Sequence, residues 1–356
     1  MSTQRFPAES PERIAATLRG VSPDYAPTPL LDLPRLAARL GVGQVLVKDE
    51  GRRALGSFKS LGGTYAALRA LARAAGTDVP GVLDTARASL PDLVCASDGN
   101  HGLAVAYAAR LSGARARVFL HAGVSPVRSG RIAAQGADVV WVDGTYDDAV
   151  EAAAAAAGDG RAILVADTGD DPQDAVVRDV MAGYGVLAAE IRDQLAERAA
   201  AWPGHAFVQA GVGGLAAAMA DGLAAALAPP AMIVVVEPEA AACVGAALAS
   251  GRPVRLPGAL ETAAGMLSCG KASAPALAAL GRHTVRAVAV AEAAALAAPR
   301  TLAAAGGPAT TPSGAAGLAG LVAALDRPAL ARELRLGPDS RVLLVVSEGD
   351  LEAQAA

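Results

Sequence analysis

Lys59 lies in Gly56-Ser57-Phe58-Lys59-Ser60-Leu61-Gly62-Gly63, among an aromatic ring, small hydroxyls and glycines. A solvated surface lysine rarely keeps such company. A lysine that condenses with an aldehyde cofactor requires it, because partial burial lowers the amine's pKa and glycines let a flat ring approach the backbone. The same residues also fit a helix-start lysine in a Gly-rich turn. Three further segments carry chemical groups. In Val208-Gln209-Ala210-Gly211-Val212-Gly213-Gly214-Leu215 an apolar run enters a Gly-rich turn. The amides of such a turn, backed by a helix start, can cradle a phosphate. It has no P-loop lysine, and it lacks the full GxGxxG spacing. Glu237 stands roughly twenty residues on, so a dinucleotide fold and a plain tight turn both stay open. In Ala96-Ser97-Asp98-Gly99-Asn100-His101-Gly102, Ser97 and Asn100 can hold a carboxylate or a ring oxygen. Asp98 reads as a helix cap or a general base, and His101 alone reads as structural. In Val346-Ser347-Glu348-Gly349-Asp350, Ser347 can hydrogen-bond a heteroaromatic nitrogen or merely cap a strand end.

These segments need strands and helices to hold them. Apolar, β-branched runs predict strands at 44–48, 93–96, 117–120, 138–142, 162–165, 206–209, 232–236 and 341–346. Helices are expected at 62–75, 102–112, 126–135, 146–157, 184–200 and 215–226, with a loop over 306–314. Buried strands alternating with helices predict an α/β fold of mainly parallel sheets with helices on both faces. Residues 76–91 have little periodicity and read as a connector into a second lobe. The expected division is a large lobe of 1–84 and 186–356, and a small lobe of 85–185 that closes over the site.

Composition narrows the class. The 356 residues suffice for two lobes, and 53% are hydrophobic, with only 3% aromatic. A net charge of −4 with interspersed acids and bases lacks the basic stripe of a nucleic-acid binder. The cysteines Cys95, Cys243 and Cys269 show no metal-ligand spacing, so no metal is expected. The opening residues lack an apolar signal-peptide run, and apolar stretches break before membrane-spanning length. The expectation is a cytoplasmic protein with no membrane or nucleic-acid partner.

In this order, the segments resemble the fold-type II pyridoxal-phosphate enzymes, the two-lobed tryptophan synthase β-like group, over about 28–350. The quoted segments are joined by Val165-Ala166-Asp167-Thr168, Met181-Ala182-Gly183-Tyr184-Gly185, Val236-Glu237-Pro238-Glu239 and Met266-Leu267-Ser268-Cys269-Gly270. Within that group the chain is most similar to the diaminopropionate ammonia-lyases. The resemblance implies pyridoxal 5′-phosphate as cofactor and Lys59 as its covalent anchor. It implies Gly211, Val212, Gly213 and Gly214 around the phosphate, Asn100 at the ring hydroxyl and Ser347 at the pyridine nitrogen. Asp98 and Asp167 match two acids that serve substrates of opposite hand, and Ser97, Asp98 and His101 fall on the substrate side. The implied activity is α,β-elimination from 2,3-diaminopropionate or a related β-substituted amino acid, giving a 2-oxo acid such as pyruvate and ammonia. The alternatives are a serine/threonine-type dehydratase, a β-replacement synthase or a non-catalytic ligand-sensing relative; the dinucleotide fold would mean an NAD-binding oxidoreductase. The resemblance also implies a homodimer and a match of Cys243 and Cys269 to a cysteine pair, expected reduced in a cytosol. Two stretches depart from the family: Gly169-Asp170-Asp171-Pro172-Gln173 replaces an aromatic-acid-glycine stretch, and Thr310-Thr311-Pro312-Ser313-Gly314 lacks an acid.

Overall fold

The computed structural model describes residues 9–97, 99–158, 160–198 and 201–350. In chain order its elements begin α1 (Pro11–Val21), β1 (Leu30–Asp32), α2 (Pro34–Leu40), β2 (Gln44–Asp49), α3 (Lys59–Ala75) and α4 (Val79–Val82). There follow β3 (Asp92–Ala96), α5 (Asn100–Ser112), β4 (Ala116–His121), α6 (Pro126–Ala133), β5 (Asp138–Val142), α7 (Tyr146–Ala157) and β6 (Ala162–Leu164). Then come α8 (Ala175–Glu197), β7 (His205–Gln209), α9 (Gly214–Leu223), β8 (Met232–Pro238), α10 (Cys243–Ser250) and α11 (Ala274–Leu280). The chain closes with β9 (Val285–Val290), α12 (Glu292–Ala304), α13 (Ala316–Leu325), α14 (Pro328–Glu333) and β10 (Arg341–Val346).

The strands form two sheets, ordered β1-β2-β10-β7-β8-β9 and β5-β4-β3-β6. Every pairing is parallel except β1 with β2. Side chains alternate across a strand, so each buried strand feeds two cores. Leu46, Val208, Val235 and Val345 join the core against α8 and α9. Their neighbours Val47, Phe207, Val234 and Val346 join the core on the opposite face, against α13. Leu93 and Cys95 pack with α3 and α5, while Val94 packs on α7. The doubly covered parallel sheets follow from the apolar runs. The strands that sequence did not predict are β1, only three residues long, and β9, which is half exposed.

β10 threads the last residues between β2 and β7, with Val346 beside Asp49 and Leu344 beside Phe207. This places Ser347 between the segment leading to Lys59 and the turn after Gln209. The Phe58 amide donates to the Ser347 carbonyl at 3.1 Å.

Two helices begin earlier than their sequence suggests. α3 starts at Lys59 rather than at 62, and α8 at Ala175 rather than at 184. Asp174 caps α8 by accepting from the Val176 and Val177 amides. Gly62, Gly63, Gly183 and Gly185 lie inside the helices despite glycine's low helix propensity. These glycines serve helix packing, which corrects the expectation that they admit a flat ring. A Cβ on Gly183 would lie 2.6 Å from the Gly62 Cα and 2.8 Å from the Leu61 carbonyl oxygen. A Cβ on Gly63 would lie 2.7 Å from the Ala104 Cβ of α5.

The end of β2 is tied to α8 by buried charge. Lys48 Nζ meets Glu190 Oε2 at 2.7 Å, and Arg53 bridges Glu190 at 2.6 Å and Glu50 at 2.8 Å. All four side chains are buried, so losing one member would strand an uncompensated charge, at a cost of roughly 3–5 kcal/mol.

Gly183→Ala should destabilise the protein by about 1–3 kcal/mol, because the overpacked methyl outweighs the gain in helix propensity. A lowered midpoint in denaturant unfolding is the expected outcome. An unchanged midpoint would show that the two helices tolerate a wider crossing.

Candidate active site

The chemical segments converge on one cleft of about 940 Å³, its mouth included, at the C-terminal ends of the strands of both sheets. Phe58, Lys59, Ser97, Asn100, His101, Asp167, residues 211–214, Ser347 and Glu348 all line it. Asp98 lies outside the described residues.

Lys59 stands in the first turn of α3, with its ammonium 5.5 Å from the Phe58 ring centre and 5.8 Å from that of Tyr184. Its Nζ donates to Asp167 Oδ2 at 2.5 Å. Burial pulls the Lys59 pKa down, but the Asp167 carboxylate more than reverses it, and the net direction is up. The expectation of a lowered lysine pKa is thereby corrected: sequence showed the apolar neighbours but not the carboxylate 108 residues away. Asp167 follows β6 and is the complement. Burial pushes its carboxyl up, while the Lys59 ammonium holds it well below the usual carboxylate range.

Ser97 follows β3 and holds the turn into α5. Its Oγ accepts from the Gly99 amide at 3.0 Å and the Gly102 amide at 2.8 Å. Gly102 has no room for a side chain, since a Cβ there would lie 2.9 Å from the Ser97 Cβ. His101 is buried, and its Nε2 pairs with the Val165 carbonyl at 2.8 Å. A carbonyl only accepts, so Nε2 carries the proton. Burial lowers the His101 pKa and keeps the ring neutral. Asn100 Nδ2 donates to Glu348 Oε2.

The Gly-rich turn starts α9 without a side-chain cap, and Gly213 takes φ 99°, a left-handed conformation suited to glycine. A Cβ on Gly211 would lie 2.9 Å from Cys269 Sγ. The backbone amides at this helix start therefore border the cleft with no side chain over them, as an anion requires. Cys243 reaches the same turn, its Sγ 3.3 Å from the Gly211 carbonyl oxygen. Cys95, Cys243 and Cys269 are thiols outside any disulfide. Glu237, the residue that kept a dinucleotide fold open, is occupied. Its two oxygens accept from the Val244 and Gly245 amides at 2.7 and 2.8 Å, at the start of α10. Burial pushes its carboxyl up to about 7.

Sequence reading missed three contributors. Tyr184 forms the aromatic wall with Phe58, ring centres 4.7 Å apart. Glu348 is buried and holds Asn100 and Thr311, the latter at 2.5 Å; burial pushes its carboxyl up against the pull of those hydrogen bonds. Gln209 donates to Ser347 Oγ at 2.9 Å. A lone polar residue ending the apolar strand 206–209 was the available signal for Gln209. Glu348 and Tyr184 lay inside the quoted motifs, with no sequence cue to their direction. The departing stretch 310–314 also reaches the site: Thr311 meets Glu348, and Ser313 Oγ accepts from the Met266 amide at 3.1 Å.

The arrangement fits an aldehyde-bearing, phosphorylated pyridine. It offers an amine, an uncapped helix start and a hydroxyl at three sides of one cleft. Among the described residues, no group of three or more His, Cys, Asp or Glu could hold a metal ion. Nor is any helix long and apolar enough to cross a membrane.

Comparison with known proteins agrees. Residues 21–348 match the pyridoxal-phosphate dependent enzyme family. Diaminopropionate ammonia-lyase of Salmonella typhimurium is 36% identical over 262 residues, 70% of this chain and 65% of that enzyme. The Escherichia coli diaminopropionate ammonia-lyase is 30% identical over 364 residues, 98% of this chain and 90% of the other. Crystal structures of the Escherichia coli enzyme in complex with D-serine and with an aminoacrylate-PLP azomethine reaction intermediate have TM-scores of 0.86 and 0.84. They are 28% and 29% identical to this chain, and each pairing covers 100% of it and 94% of the other.

Asp167→Asn should drop the Lys59 pKa below that of a free lysine, because burial remains while the opposing charge is gone. The pH dependence of amine acylation at Lys59 in cofactor-free protein measures it. A midpoint that stays above the free-lysine value would show that Asp167 is not what holds the ammonium.

Proposed function

The chain belongs to the pyridoxal-phosphate dependent enzyme family, and we propose that it is a lyase that removes ammonia from 2,3-diaminopropionate or a close β-substituted amino acid. Pyridoxal phosphate is its cofactor. The observation that carries the reading is the Lys59–Asp167 pair at 2.5 Å, inside a cleft whose far wall is the uncapped start of α9.

When bound, the cofactor supplies an aldehyde for covalent attachment and an electron sink for charge developing at the substrate Cα. Lys59 is its anchor. The Gly211, Val212, Gly213 and Gly214 backbone would hold the phosphate, Asn100 the ring hydroxyl and Ser347 the pyridine nitrogen. The substrate carboxylate falls to Ser97, Asp98 and His101. Their geometry suits this task because Ser97 and His101 are themselves held, by two amides and one carbonyl, and so do not need reordering on binding.

Protons move through Lys59 and the two aspartates. The Lys59 ammonium must lose a proton before its nitrogen is nucleophilic; Asp167 holds that proton on the amine, so its release falls to the incoming substrate or to water. Once the substrate amine has displaced it, neutral Lys59 can take the Cα proton. Asp98 and Asp167 are the other two bases for that proton, and they serve substrates of opposite hand. Loss of the Cα proton and of the Cβ–N bond, followed by addition of one water, converts diaminopropionate to pyruvate and two ammonia molecules. The family's diaminopropionate ammonia-lyases support elimination over β-replacement and over dehydration. The stretches 169–173 and 310–314 depart from them; Asp170 pairs with Lys271 at the surface, whereas Thr311 reaches the cleft wall through Glu348, so 310–314 is the stretch that bears on which β-substituent is accepted.

Residues 85–185 act as the small lobe closing over the cleft, and 1–84 with 186–356 as the large one. The four-stranded sheet β5-β4-β3-β6, built wholly between Asp92 and Leu164, supports that division. A cytoplasmic homodimer completes the reading.

Purified protein given pyridoxal phosphate should acquire a visible absorbance band and release pyruvate from diaminopropionate. Serine, threonine and hydroxyaspartate of both hands should be poorer substrates. Lys59→Ala should lose the band and at least ~10³-fold of activity, the scale of a missing covalent catalyst. A band that survives in Lys59→Ala would sink the assignment. Pyruvate release that needs an added thiol or amine would favour a replacement synthase.

A further inference from the structure

Gln209 is buried to 2% exposure, ends β7 and faces the cleft. Its Nε2 lies 2.9 Å from the Gly314 carbonyl oxygen, 3.0 Å from that of Val345 and 2.9 Å from Ser347 Oγ. Two carbonyl oxygens on one side identify that atom as the nitrogen, since an oxygen there would face only acceptors. Its Oε1, by contrast, is buried without a hydrogen-bond partner. A methionine or leucine would fill the same space without that desolvated oxygen, so the amide has a use beyond packing.

We propose that Gln209 is a positioning residue that fixes the direction of the Ser347 hydroxyl proton. This rests on the reading that the cleft binds pyridoxal phosphate with its ring nitrogen at Ser347. An amide nitrogen has no lone pair to offer, so Ser347 cannot donate toward Gln209. The two amide hydrogens are shared among Ser347 Oγ and the Gly314 and Val345 carbonyls, so Ser347 Oγ only accepts on that side and its proton is left to point into the cleft. A pyridine nitrogen without a proton is the acceptor that completes this arrangement. Gln209 thereby selects the unprotonated ring. Without it, the Ser347 hydroxyl would turn to the Gly314 or Val345 carbonyl that had lost its donor.

The test is a double-mutant cycle on cofactor affinity, read by fluorescence titration, with Gln209→Met, Ser347→Ala and both together. Gln209→Met should weaken pyridoxal phosphate binding about tenfold when Ser347 is present, the scale of one hydrogen bond. In the Ser347→Ala background it should weaken binding less than about twofold, because its partner is already gone. Equal weakening in both backgrounds means a general packing role and overturns the proposal. The wild-type protein supplies a measurement that does not depend on the variants folding. The ring-nitrogen ¹⁵N shift of labelled cofactor should be that of an unprotonated, hydrogen-bonded pyridine. A pyridinium shift overturns the proposal, because the ring would then donate to Ser347 rather than accept from it. If wild-type protein binds no cofactor and shows no visible band, the functional reading itself fails. A band with an additive cycle defeats the role of Gln209 alone.

Discussion

The approach of α3 to α8 at Gly62 and Gly183 is the constraint on which the rest depends. Neither position has room for a Cβ, so the two backbones meet directly. Both helices belong to two cores at once. Leu61 and Tyr65 of α3, with Leu187 of α8, pack toward the six-stranded sheet. Ala66 and Leu68 of α3, with Val180 and Tyr184 of α8, pack toward the four-stranded one. The crossing therefore sets how the two sheets face each other. It also sets where Lys59, one turn before Gly62, stands relative to Tyr184, the residue after Gly183. A wider crossing would carry Lys59 away from both its aromatic wall and Asp167.

Given that frame, parallel strands concentrate chemistry at one edge. Ser347 follows β10, the Gly-rich turn follows β7, Ser97 follows β3 and Asp167 follows β6. Each leaves its sheet in the same sense, because the pairings that join these strands are parallel. The position of β10 matters most. Inserted between β2 and β7, it brings the last described residues beside Phe58 and Gln209, although they lie far apart in the chain.

Two of the charged sets have different tasks. Lys48, Arg53, Glu50 and Glu190 answer one another, and this network ties the end of β2 to α8. Within the cleft, the Lys59–Asp167 pair is partly exposed, 22% and 15%, so a substrate can reach and replace its members. Glu348 has neutral donors, Asn100 and Thr311, as its hydrogen-bond partners. A closed network suits structure, whereas an ion pair with an open side suits proton transfer.

Much of this was legible before any fold. The apolar runs specified eight of the ten strands, because a strand buried on both faces has no other way to be written. The Lys59 segment, the turn 211–214, the Ser97 segment and Ser347 stood out for their small and polar types at strand ends. What stayed hidden depended on partners distant in the chain. The helix starts at Lys59 and Ala175 lay three and nine residues before those expected, in stretches whose apolar pattern gave no helical face. The Lys59 pKa follows from Asp167, 108 residues away, rather than from its apolar neighbours, so its direction was misread. Gln209 and Glu348 could be seen as residues, but not their bearing on Ser347 and Asn100. Sequence by itself determined which groups are present and that strand ends carry them. Tertiary structure decided their charge states and hydrogen-bond directions, because electrostatics and proton placement depend on distances that chain order does not specify.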